Sequence, residues 1–191
     1  MPNLPSLPDQ AGLYDVFRLD PELYEHWLRF SDLAQRRRTE LSAVEREMLS
    51  LFVSRLNGAD YTTSAGEAAL EIAGGAPDRV SRLIADGDER EVGERLRPLF
   101  RLARRLAADP ASVTAGDVKA VLDAGWSEAT LHQVILLVCR AAFVDRLAVA
   151  SGLVPHDAGL TRRMAQLRTH KGFAPMIERL QREAAGEAEK R

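Results

Sequence analysis

Between Leu41 and Gly75 the chain carries two apolar stripes that meet at a polar corner. Val44, Met48, Leu51, Phe52 and Leu56 recur at helical spacing and predict one helix. Ser42 and Glu45 are placed to open it as a capping box, and Asn57-Gly58 to stop it. Ala65, Ala68, Ala69 and Ile72 predict a second helix that ends at Gly74-Gly75. Its small residues allow a neighbouring helix to approach closely. Asp60, Thr62, Thr63 and Ser64 are all possible N-caps for it.

The flanks follow the same helical period. In Met1–Leu19, Pro2, Pro5 and Pro8 forbid a continuous helix and predict an extended arm. Leu4, Leu7, Leu13 and Phe17 can anchor that arm on its own chain or on a partner subunit. Asp20-Pro21 opens a helix whose expected buried stripe is Leu23, Trp27, Phe30 and Leu33, with Arg36–Arg38 as a solvated end. A short helix from Pro77 is expected to break at Asp86-Gly87-Asp88. Glu89–Ala108 reads as a longer helix with a kink or a fresh start at Pro98. Thr114 and Asp117 cap the next one, which stops at Gly125.

Ser127 caps Glu128–Ser151, whose apolar residues cover nearly the whole circumference. That predicts burial on every side, against the core and another subunit. Weaker helices follow around Gly172 and Pro175. The expected fold is all-α: an N-terminal arm over 1–19, one domain over 20–183 and a flexible tail over 184–191.

Composition narrows the function classes. The 191 residues are 46% hydrophobic and 28% charged with a formal net charge of -2, which gives no electrostatic reason to bind nucleic acid or an anionic membrane. With no bilayer-length apolar run and no secretory leader in the sequence, a cytoplasmic location is expected. The single cysteine, Cys139, excludes an internal disulfide, and its apolar helix predicts an inert, buried thiol. His26, His132, His156 and His170 are dispersed; Glu128 and His132 are one turn apart but lack further ligands, so neither a metal nor a cofactor is expected.

Three segments carry a family resemblance: EREMLSLFVSRLNG with Glu47, the following DYTTSAGEAAL, and DPASVTAGDVKAVLDAGWSEATLHQVILLVCRAAFVDRLA. Over roughly Asp20–Val154 the chain resembles the alkylhydroperoxidase D-like, carboxymuconolactone decarboxylase superfamily, in its peroxidase-related branch. The resemblance implies an oligomer-forming helical fold, assembled as dimers or hexamers. It also implies a Cys-x-x-Cys at the corner, a His a few residues on, and a Glu on the preceding helix. Here those positions hold Ala59, Thr62, Gly66 and Glu47; only the Glu is kept. A thiolate activated at a helix N-terminus is the nucleophile of such a peroxidase. Ala59 has no nucleophile, a Thr62 hydroxyl cannot cycle through sulfenic acid, and Gly66 has no side chain to relay a proton. Thiol peroxidase chemistry is therefore excluded at this corner.

The reading that remains is a non-redox protein that binds a small apolar or amphipathic ligand at the former active site. Tyr61, Thr62, Thr63 and Arg146 are its candidate contacts. Glu47 is either an acid/base group or a structural ion-pair partner, for instance of Arg55. Asp145-Arg146 falls where relatives carry an Asn-Arg pair, as a local ion pair or an inter-helix tie, with Arg146 nearer the pocket. The alternatives are a non-redox enzyme of lactone or decarboxylation type with Glu47 as base, an alkyl hydroperoxide reductase by ancestry, and an oligomeric scaffold.

Overall fold

The computed structural model describes residues 1–85, 87 and 89–188. Ten α-helices account for most of them: α1 (Leu13–Phe17), α2 (Pro21–Arg36), α3 (Ala43–Leu56), α4 (Asp60–Ile72), α5 (Pro77–Ala85), α6 (Arg97–Ala108), α7 (Ala115–Asp123), α8 (Glu128–Ala150), α9 (Ala158–Lys171) and α10 (Ala174–Ala188). No strand occurs among the described residues, and the fold is all-α.

Local chemistry sets most of the boundaries. Ser42 N–H donates to Glu45 Oε2 at 2.7 Å and Glu45 N–H donates to Ser42 Oγ at 3.2 Å, closing the expected box on α3. Asp20, Thr114 and Ser127 accept from the N3 amides of α2, α7 and α8. Each such cap is worth about 1 kcal/mol. Gly58, at φ 63°, takes the left-handed turn that ends α3. Pro98 lies in the first turn of α6, so it starts a helix rather than kinking one; 3₁₀ turns at Glu89–Glu91 and Glu94–Leu96 precede it.

α3 lies at the centre. Glu47 through Ser54 are buried without interruption, because α4, α5, α6 and α8 pack around it. Leu49, Leu51, Phe52, Leu99, Val134 and Leu137 form the heart of the main core. A second cluster of Leu7, Ala11, Val16, Tyr61, Ala148 and Leu153 binds the N-terminal arm to its own chain. The arm is also pinned by Asn3, whose N–H donates to the Ser151 carbonyl at 2.9 Å. It is not extended throughout, since α1 forms beyond the last arm proline.

Three further expectations are corrected. α2 buries Leu28, Ser31, Ala34 and Gln35, leaving Leu23, Phe30 and Leu33 exposed and Trp27 half-buried. The apolar stripe is real, but apart from Trp27, which packs on Phe17, it faces away from the core of this chain. α8 is likewise not buried all round: His132, Cys139, Phe143 and Val149 lie on an exposed side. Cys139 is therefore accessible rather than sequestered. At the C-terminal end, residues 184–188 continue α10, and 189–191, like Asp86 and Asp88 of the expected break, lie outside the described residues.

Candidate functional site

The α3–α4 corner is built from both helix ends and clamped from behind by α8. α4 begins at Asp60, with Ala59 as an N-cap that has no side-chain bond to offer. Thr62 and Thr63 are therefore not caps. Thr62 Oγ1 instead approaches Asp145 Oδ1 at 2.6 Å, with the Ala59 carbonyl at 3.1 Å. Ser54 Oγ donates to the same carboxylate oxygen at 2.8 Å, and Asn57 Nδ2 donates to Oδ2 at 2.8 Å. Asp145 is 1% exposed. Burial pushes its carboxyl above the usual aspartate range, against the opposing effect of these three donors and of Arg140. It is the inter-helix tie of the two sequence readings.

In front of the corner is a cavity of about 420 Å³, walled by the arm with α1 and by α2, α3, α4, α8, α9 and α10. Most of the wall is apolar, including Phe17, Trp27, Leu51, Val144, Met164 and Phe173. Glu47, Tyr61, Thr62 and Gly66 share this wall; Ala59, Thr63 and Arg146 do not. Ala59 is fully buried. Arg146 points out and donates to the Ala142 carbonyl at 2.9 Å. Its expected place is taken by Arg140, nearly two turns earlier on the same helix.

Gly66 sits so close to α3 that a Cβ there would meet Leu51 Cδ1 at 3.3 Å. Glu47 Oε2 accepts from Arg168 Nη2 of α9 at 2.8 Å, whereas Arg55 pairs with Glu67. The Glu47–Arg168 pair also walls a smaller hollow of about 240 Å³, beside Gln35 and Arg46. The Tyr61 hydroxyl accepts from the Leu13 N–H of the arm at 3.2 Å and lies 3.4 Å from His156 Nε2. Burial raises the Tyr61 pKa, Asp15 adds to the rise and the Leu13 amide opposes it.

Sequence reasoning missed Arg140, Arg168 and the place of His156 at the site, whereas the inter-helix tie at Asp145 was one of its two readings. Arg140 had a signal: it is the one formally charged residue between Glu128 and Asp145 in an apolar helix. The others had none, because their partners come from distant segments. Chemically the site has no thiol on its wall. Among the described residues no cluster of three His, Cys, Asp or Glu side chains could hold a metal, and no helix is long and apolar enough to cross a membrane. Glu47 is held by Arg168 through Oε2, and that ion pair makes it a weaker base toward a ligand.

Residues 21–105 match the carboxymuconolactone decarboxylase family. No curated protein matches the chain. Among solved structures, a peroxidase-related protein from Silicibacter superposes with a TM-score of 0.69 at 19% identity, covering 76% of this chain and 76% of that one. A peroxidase-related protein from Ralstonia eutropha, described as an alkylhydroperoxidase core, gives a TM-score of 0.70 at 18% identity, over 81% of this chain and 80% of that one. The architecture is thus the alkylhydroperoxidase D-like fold.

Proposed function

We propose that this chain is a peroxidase-related member of the carboxymuconolactone decarboxylase superfamily that has lost its redox thiols and binds a small apolar or amphipathic molecule. The observation that carries the reading is the wall of the cavity. Glu47, Tyr61, Thr62 and Gly66, three of them at positions the resemblance assigns to the catalytic set, face one largely apolar space without a thiol. Such a space with a few convergent polar groups is the usual form of a small-molecule site. Acid/base turnover is the weaker reading, since Glu47 is engaged by Arg168 at 2.8 Å.

Two measurements test it. Turnover of an alkyl hydroperoxide with a dithiol reductant is expected to stay at the buffer level for the wild type and for Cys139→Ser. Activity that disappears in Cys139→Ser would place redox chemistry on α8 and overturn the reading. Binding of the neutral dye Nile red, followed by energy transfer from Trp27 on the cavity wall, is expected to saturate and to weaken in Trp27→Phe. A wild type that takes up no dye would remove the ligand-binding claim.

The same reading includes self-assembly. Leu23, Phe30 and Leu33 of α2 and Phe143 of α8 are exposed, and Trp27 of α2 stacks on Phe143 at 5.2 Å between ring centroids. Leu33 is 70% exposed in the single chain. A second copy covering this face would bury it, and sedimentation should show an oligomer that Leu33→Arg dissociates.

A further inference from the structure

Arg140 is the group that the fold leaves unexplained. It is 7% exposed, it lies on the cavity wall, and its buried Nε has no hydrogen-bond partner among the described residues. Buried arginines are normally paired, because a guanidinium removed from water without an acceptor is costly. The acids nearby are already engaged. Glu47 accepts from Arg168 at 2.8 Å, and Asp145 has both oxygens occupied by Ser54, Asn57 and Thr62. What faces Arg140 instead is an aromatic ring, Phe173, at 5.9 Å from the guanidinium carbon.

The wall carries a net positive formal charge. Its formally charged members among the described residues are Arg140, Arg168 and Arg179 against Glu47. Arg179 is largely exposed and pairs with Glu183 at 3.0 Å, so Arg140 is the buried cation without an ion-pair partner. Burial and the charge of Arg168 pull its pKa down to about 10, with Glu47 and Asp145 opposing, and it stays cationic at neutral pH.

Resting on the ligand-binding reading above, we propose that Arg140 is a head-group site, and that the occupant of the cavity is an amphipathic monocarboxylate. Its carboxylate pairs with the Arg140 guanidinium, whose planar fork matches two carboxylate oxygens. Its apolar body lies against Phe17, Trp27, Val144 and Met164. A neutral amphiphile would leave the cation unpaired, and a cationic one would meet Arg140 and Arg168 together.

The test uses the full chain loaded with Nile red and displaced by three ten-carbon probes: decanoate, decanol and decyltrimethylammonium. Decanoate is expected to displace the dye at concentrations about tenfold or more below decanol, with the cation weakest. Arg140→Met should abolish the decanoate advantage while dye binding and decanol potency persist, which also shows that the variant is folded. Arg140→Lys, which keeps the charge without the fork, should retain part of the advantage. Equal potency of decanoate and decanol in the wild type, or an advantage that survives Arg140→Met, would overturn the inference and leave the ligand-binding reading standing. A wild type that binds neither dye nor any probe overturns both.

Discussion

Thr62 and Asp145 stand 83 positions apart and are joined by a 2.6 Å hydrogen bond. Thr62 occupies the place that the resemblance gives to the second cysteine of active relatives. Its hydroxyl ties the start of α4 to the middle of α8, together with Ser54 and Asn57. The corner is thus a polar clamp, and the hydroxyl has a structural task that a thiol would perform less well. Thr62→Val keeps the shape and removes one donor from a buried carboxylate. It should cost about 1–3 kcal/mol in urea unfolding, whereas Thr63→Val, off the clamp, should cost little.

Asp145 also gives the clamp a pH dependence. Burial raises its carboxyl pKa in the folded chain, so the native state holds the proton to higher pH than the unfolded state does. Stability from this group is therefore greatest below the ordinary aspartate value of about 3.9, and it falls as pH rises from there through the native value. In Asp145→Asn the contribution cannot titrate. The stability difference between wild type and Asp145→Asn should shift toward the variant as pH rises across that window, as read from urea midpoints at a series of pH values.

The Glu47–Arg168 pair is nearly buried on one side and partly open on the other, with side-chain exposures of 10% and 22%. Removing either partner leaves the other charge in a largely apolar wall. Glu47→Ala and Arg168→Met should each destabilise the chain by about 1–3 kcal/mol, and the double variant should cost less than the sum of the two. Additive effects would show that the pair contributes no coupling.

Gly12 of the arm packs against His156 and Tyr61, two residues of the cavity wall. A Cβ there would come within 2.8 Å of His156 Nε2 and 2.9 Å of the Tyr61 hydroxyl. Gly12→Ala should therefore lift the arm, at a cost of about 1–3 kcal/mol. Limited proteolysis near the N-terminus should speed up, and the Leu13–Tyr61 hydrogen bond should be lost.

Much of the helical framework was legible because its causes are local. The box of Ser42 and Glu45, the caps at Asp20, Thr114 and Ser127, and the glycine turn at Gly58 each involve residues within one turn of one another. So the all-α class and the position of the α3–α4 corner followed from spacing, and the absence of a thiol at that corner followed from residue identity at Ala59 and Thr62. α2 marks where periodicity stops: it reveals a stripe but not whether the stripe of Leu23, Phe30 and Leu33 turns toward this core or away from it.

Only the tertiary structure decided the chemistry of the site. Glu47 finds Arg168 across 121 positions, and Tyr61 finds Leu13 across 48. Arg140 is left without an acid, although Asp145 is close enough in sequence to have been its partner, because Asp145 is claimed by α3 and α4. Which charges pair and which stay open depends on how seven helices pack around one cavity. That is a long-range outcome of burial and competition for acceptors, and no local pattern along the chain encodes it.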